Sequence, residues 1–396
     1  MILEKLKEKE NKIIELRRIL HQYPEIAHKE YETQKIILEY LENIGIEGKK
    51  VAGTGVIATI EGKNRGKTVA LRADMDALAI REENDVSYKS KNDGFMHACG
   101  HDNHMSMIYG AALVLNEMKD KLNGNIRIIF QPAEEEGTLG GAKPMIEQGA
   151  IENVDYILGM HVWPDLPEGV LGLRSGPFFA AADNIIIEIL GKGGHGAKPD
   201  QAVDPIMVSS KVIDSLHTIS GREIDPLEPF VITIGSIHGG TSHNIIPDKV
   251  EMMGTVRTMD KKTREIMENK LNRIISGITS AFNANYKFKY IYGYPILVND
   301  PWVTDFVRNI ASGILGNENV VIAKQTMGGE DFAYYLEKVP GTFMVLGTYN
   351  EKLGFTNNVH TSRFNVNEKI LAIGSTIFVE SALALLNYSW TKNNPS

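Results

Sequence analysis

The stretch GFMHACGHDNHMSM, residues 94–107, crowds together side chains that bind metals or move protons. It holds Cys99, the single cysteine of a 396-residue chain, with His97, His101, Asp102 and His104 within five positions of it. Thiolate sulfur, imidazole nitrogen and carboxylate oxygen are the ligands of zinc-type sites, and a catalytic site of that type keeps one position open for water. Cys99 and His101 are separated by one residue, so in an extended or turn segment both side chains can point the same way. Taken alone the pair decides nothing, because a lone cysteine is more often a packed, inert thiol.

Further candidates lie downstream. Glu134 and Glu135 follow the apolar run NIRIIFQPA, His161 follows VDYILGM, and His360 sits in the polar turn NNVHTSRF. Each has a bland reading: a solvated glutamate pair, a structural histidine, an unremarkable turn residue. Together with Cys99 and His101 they offer a thiolate, three nitrogens and a carboxylate.

The elements that must position them follow from hydrophobic period. Ile13, Ile14, Leu16 and Leu20 recur at helical spacing, and a second helical run covers Tyr31 to Leu41. GVIATIEG reads as a strand bounded by glycines, and KTVALRADMDAL as a strand ending in Asp74 and Asp76. Helical stretches are expected near 104–118 and 141–148. Alternating strands and helices predict an α/β sheet with parallel strands. In such sheets ligands bind beyond the carboxyl ends of the strands, where Asp74, Glu134, Glu135 and His161 are all expected.

From Ala180 the rhythm changes. NIIIEILGKGGHG, a helix over about 202–219, FVITIGSIHGG, KVEMMGTVRT, a helix over about 262–281 and YKFKYIYGYPI give β-α-β-β-α-β, a ferredoxin-like split unit. The expected organisation is a discontinuous catalytic domain, 1–179 with 293–396, interrupted by an inserted domain over 180–292.

The net charge of −8 without long like-charge blocks gives no reason to expect nucleic acid or an anionic membrane as partner. One cysteine cannot form an internal disulfide, which suits a reducing compartment. The charged opening MILEKLKEKENKIIELRRIL lacks the apolar core of a signal peptide. ILAIGSTIFVESALALLNY is interrupted by Glu380 and reads as a buried helix, not a membrane span. A soluble cytoplasmic protein is expected.

The motifs LHQYPEIAHKEYETQKII, ALRADMDAL, MHACGHDNH, IFQPAEE, GGAKPMIEQGA, GKGGHGAKP, NIIPD, GTVRT and GGEDFA occur in that order over nearly the whole chain. In these the sequence resembles the metal-dependent amidohydrolases that include hippurate hydrolase, plant indole-acetyl-amino-acid hydrolases and archaeal thermostable carboxypeptidases, within the aminoacylase and carboxypeptidase clan of metallopeptidases. The resemblance implies a mixed, mostly parallel sheet flanked by helices, with a ferredoxin-like lid and dimerisation domain inserted. It implies two divalent metal ions per subunit, with Cys99, His101, Glu135, His161 and His360 as ligands and Glu134 as general acid/base. Glu136, a third glutamate where many relatives move directly to glycines, leaves the pair to be fixed by the register of QPAEE. His195 is implied in stabilising the tetrahedral oxyanion, often from a partner subunit, and Asn244 and Arg257 in holding substrate. Arg257 suits a carboxylate, which its planar fork binds bidentately. Asp74 and Asp102 are expected to orient ligand histidines.

Related clan members carry a metal-binding histidine where Arg72 stands, and Cys99 is expected to compensate. A thiolate favours zinc over harder metals, while manganese, cobalt and nickel also serve in the family. The implied function is release of an amino acid from an N-acyl amino acid or short peptide, by a homodimer or homotetramer paired through edge strands. An N-acetyl- or N-succinyl-diaminopimelate deacetylase is an alternative. So is a non-enzymatic, metal-retaining amino-acid binder, against which the intact Glu134 argues.

Overall fold

The computed structural model describes residues 2–388. The chain divides into two compact units. The first comprises the residues up to Gly176, Val298–Lys324 and those from Asp331 onward; the second comprises Pro177–Leu297 with Gln325–Glu330.

The first unit is built on an eight-stranded sheet in the order Gly48–Val51, Gly55–Ile60, Asn123–Gln131, Asn64–Asp74, Tyr156–Pro167, Gly341–Tyr349, Leu171–Leu173, Val320–Ile322. The four strands from Asn123–Gln131 to Gly341–Tyr349 are mutually parallel, while antiparallel pairs flank them. The sheet is therefore mixed with a parallel centre, as expected. From Thr68 to Asp74 every residue is buried, the pattern of a central parallel strand covered on both faces.

Two of the helices packed against the sheet are buried over most of their length. In His101–Glu117 every residue up to Leu115 is buried. Ile370–Asn387 is long and apolar enough to cross a membrane, yet 72% of it is buried inside the fold. It packs against His101–Glu117, and the approach is close: a Cβ on Gly374 would lie 2.0 Å from Met107 Sδ.

In one respect the strands differ from expectation. His161 does not end its strand, which runs on to Pro167. Asn64–Asp74 stops pairing with it at Gly159, but Gly341–Tyr349 pairs onward past His161. His161 thus stands in ladder-bonded backbone on one side, and on the other beyond the last residue paired with Asn64–Asp74.

The second unit is a four-stranded antiparallel sheet in the order Phe230–Gly239, Lys249–Thr258, Ala181–Leu190, Asn285–Tyr294, with helices Pro205–Arg222 and Lys261–Ala281. This is the ferredoxin-like order. Ile185, Ile187 and Ile189 alternate onto one face of their strand, and Val208, Val212 and Leu216 of one helix and Met267, Leu271 and Ile275 of the other join them in a single core. Asp204 and Asp260 cap the two helices through backbone N–H groups of the first turn.

Candidate metal centre

Cys99 and His101 flank Gly100, whose φ of +91° admits glycine far more readily than other residues. Any Cβ there would also stand 2.4 Å from Val162 Cγ2. The turn ends at once in the helix His101–Glu117, so His101 is fixed at a helix start. His101 Nδ1 is 3.3 Å from Asp76 Oδ1, outside hydrogen-bond geometry, and Nε2 is 3.9 Å from Glu135 Oε1. Both nitrogens are fully buried, with no hydrogen-bond partner among the described residues. Burial alone would lower the pKa of His101, but Asp74, Asp76 and Glu135 push it up to about 10.

The glutamates stand on a tight turn. Ala133 adopts a left-handed conformation (φ 55°, ψ 39°), and a short 3-10 turn, Glu134–Glu136, follows. Asp76 receives the backbone N–H groups of Glu134 at 3.1 Å and Glu135 at 2.8 Å. Glu136 turns to its own loop, accepting from Thr138 Oγ1 and from the amides of Leu139 and Gly140. Burial opposes ionisation of Glu135, but His360 and His101 outweigh it and lower its pKa.

His161 donates from Nδ1 to the carbonyl of Val162 at 2.6 Å, which leaves the Nε2 lone pair free for another partner. That Nε2 is 3.3 Å from Cys99 Sγ. Burial, together with neighbouring His104, holds His161 neutral, well below the usual histidine range. His360, half-exposed and at φ 61°, is held by its backbone N–H on the Ala98 carbonyl. Its Nε2 is 3.3 Å from Cys99 Sγ and 3.1 Å from Glu135 Oε1.

The donor atoms fall into overlapping clusters, each within 4.8 Å: Cys99 with His101 and His161, Cys99 with Glu135 and His360, and His101 with Glu134 and Glu135. A divalent cation fits this set. Its donors are sulfur, nitrogen and oxygen of zinc type, and both buried nitrogens of His101 lack a partner of hydrogen-bond geometry among the described residues. Burial and the charges of Glu135 and Glu134 raise the Cys99 pKa well above its ordinary value, and a bound cation would favour the thiolate against both.

Residues 70–384 match the profile of peptidase family M20/M25/M40. The chain belongs to this family. It is a hydrolase acting on amide bonds. It is 46% identical over 381 residues to thermostable carboxypeptidase 1 of Saccharolobus solfataricus, covering 94% of this chain and 96% of that one. It is 41% identical over 379 residues to the N-acetyl-L-cysteine deacetylase of Bacillus subtilis, covering 96% and 89%. Its fold matches a solved Bacillus subtilis structure, described as a dinuclear metal binding peptidase from the M20 family, with a TM-score of 0.84 and 38% identity over 96% of this chain and 99% of that one.

In this M20-family chain one residue beside the donors, Asp102, departs from expectation. Asp102 does not reach a ligand histidine. It follows His101 on a helix, where adjacent residues face different ways, and its Oδ2 meets Arg17 Nε at 2.9 Å and His21 Nδ1 at 2.7 Å. Asp74 Oδ1 binds His104 Nδ1 at 2.6 Å and is 3.8 Å from His101 Nδ1. Burial opposes ionisation of Asp74, yet His101, His104 and Arg72 hold its pKa well below the carboxylate range. His104 Nε2 in turn accepts from the N–H of Val162, tying the helix start to the strand that carries His161. His97 is buried and belongs to none of the donor clusters. Arg72 donates to Gln131, Asp74 and Asp331 at 2.9, 2.7 and 2.7 Å, so it joins the strand ends rather than offering a metal ligand.

Asp76 and His104 support the donors without being among the expected site residues, and the sequence carries a signal for each. Asp76 shares the two-residue period of Asp74, and His104 lies one helical turn from His101, with ring centroids 5.4 Å apart.

In the second unit His195 and Asn244 come together on a two-residue ladder. His195 pairs with Ile245, and the Gly196 N–H donates to the Asn244 carbonyl at 2.8 Å. Both are exposed. Arg257 lies on Lys249–Thr258 between Ala182 and Val231. It is half-buried, and burial lowers its pKa against the opposing charge of Asp183.

Proposed function

We propose that this enzyme hydrolyses the amide bond of N-acyl amino acids or short peptides, with Glu134 as general acid/base beside a two-metal centre. The observation that carries the reading is Cys99, whose sulfur belongs to two donor clusters at once, while the buried Glu134 joins His101 and Glu135 of those clusters in a third. Cys99, His101, Glu135, His161 and His360 would hold two divalent ions, zinc by the softness of the thiolate, or manganese, cobalt or nickel. When bound, such ions polarise a carbonyl and lower the pKa of water from about 15.7 to about 7.

Glu134 takes a proton from the attacking water and returns it to the leaving amine as the amide C–N bond breaks. A positioned base of this kind contributes ~10²–10⁴ in rate. Asp74, through His104, keeps the strand of His161 in place. Asp76 holds the glutamate turn. Arg257 suits the free carboxylate of the substrate, His195 the oxyanion, and Asn244 the substrate amide. The carboxypeptidase and the N-acetyl-cysteine deacetylase relatives support this class of substrate. We read 1–179 with 293–396 as the catalytic domain and 180–292 as a lid and dimerisation domain, in a cytoplasmic homodimer or homotetramer.

The test is metal analysis coupled to a substrate panel of hippurate-type, acetyl-amino-acid, dipeptide and acetyl-diaminopimelate compounds, before and after chelation. Amine release from the first three classes, lost on chelation and restored by divalent metal, is expected. Metal-loaded protein that binds such ligands but releases no amine would overturn the reading.

A further inference from the structure

Three successive backbone N–H groups, of Ala133, Glu134 and Glu135, are taken up by two fully buried carboxylates. Asp76 receives the last two. The first belongs to Glu30, whose Oε1 accepts from Ala133 N at 2.8 Å. Glu30 Oε1 also accepts from the His28 N–H at 3.1 Å, and its Oε2 accepts from Thr54 Oγ1 at 2.6 Å. Glu30 thus bridges three separate segments and ends on Ala133. That residue's left-handed backbone is unfavourable for a side chain with a Cβ, and persists only where its surroundings determine it. The residue immediately after it is Glu134.

We propose that Glu30 is a positioning residue for the reaction. Through the Ala133 amide it holds the left-handed turn that aims Glu134 and Glu135. The proposal rests on the reading of Glu134 as the base, but Glu30 itself acts at a distance from any reacting atom.

Glu30→Gln keeps an oxygen for the Ala133 N–H, and the Thr54 hydroxyl can turn to accept from the new amide. Glu30→Leu keeps bulk and removes the acceptor. Thr54→Val is a milder variant that releases Oε2 only. The measurements are kcat and KM on the metal-loaded enzyme, and amide hydrogen exchange at 133–135 in the metal-free protein. Glu30→Leu should exchange faster at these amides and lose about 100-fold in kcat with KM little changed, the scale of a small misplacement of a catalytic group. Glu30→Gln should restore both. Thr54→Val should lose roughly three- to tenfold in kcat, the loss of one hydrogen bond.

Folded Glu30→Leu with wild-type exchange at 133–135 overturns the proposal. If Glu30→Leu does not fold, Thr54→Val with unchanged exchange and kcat overturns it. If Glu134→Gln retained full turnover the base assignment would fall, while the exchange data would still decide whether Glu30 holds the turn.

Discussion

Cys99 Sγ lies 3.3 Å from Nε2 of His161, a residue 62 positions further along the chain. Nδ1 of that histidine is committed to the Val162 carbonyl, so the Nε2 lone pair faces the sulfur. A packed, inert thiol needs no such neighbour. Cys99→Ser keeps the size and removes the soft donor. It should lose metal and activity together, with activity falling at least ~100-fold, the upper end for perturbing a metal site's supporting residues. Elemental analysis after desalting, alongside turnover, checks this. Unchanged metal content would return Cys99 to a packing role.

Gly100 sits between two donor-bearing residues at a positive φ, with Val162 Cγ2 2.4 Å from where a Cβ would be. Gly100→Ala combines a left-handed penalty with overpacking, and should cost ~2–4 kcal/mol. Chemical denaturation measures it. The same variant should bind metal more weakly, because the Cys99–His101 turn must shift to make room.

His21 offers a pH test away from the metal donors. It is fully buried, with Nδ1 2.7 Å from Asp102 and Nε2 3.1 Å from Glu82. Burial and Arg17 lower its pKa, but Asp102 and Glu82 outweigh them and the net shift is upward. A raised histidine pKa gives stability that is fully present below the unfolded value, about 6.5, and is lost as pH rises through the folded value. His21→Gln should therefore cost about 3–5 kcal/mol at pH 6, the scale of breaking a buried pair. The gap should narrow by pH 9. Denaturation of both metal-free proteins at the two pH values decides it, and a gap that widens with pH contradicts the assignment. Asp102 has the opposite sign. Burial opposes its ionisation, Arg17 and His21 lower its pKa, and its contribution disappears only in strong acid.

These contacts also mark what the sequence could reveal. The parallel strands were legible from apolar runs ending in acids, because a buried central strand needs a continuous apolar stretch and its polar residues collect at the end. The β-α-β-β-α-β order of the second unit was legible from a different signal, the period of its apolar residues. Asp102 shows that proximity in sequence is not proximity in space. One step along a helix turned it away from the donors toward Arg17 and His21. Asp76 lies past the end of its strand, where the two-residue period it shares with Asp74 is no longer held by a ladder. Glu30 reaches Ala133 across 103 positions, and no periodicity records such a bond. The long LHQYPEIAHKEYETQKII motif contained both His21 and Glu30, yet only coordinates show what each one holds.

The most direct test of the account is Glu134→Gln, assayed for metal content and turnover on the same preparation. The amide keeps the shape of the side chain and cannot take a proton. The account predicts metal content equal to the wild type and kcat reduced by ~10²–10⁴. Full metal content with wild-type turnover would contradict it.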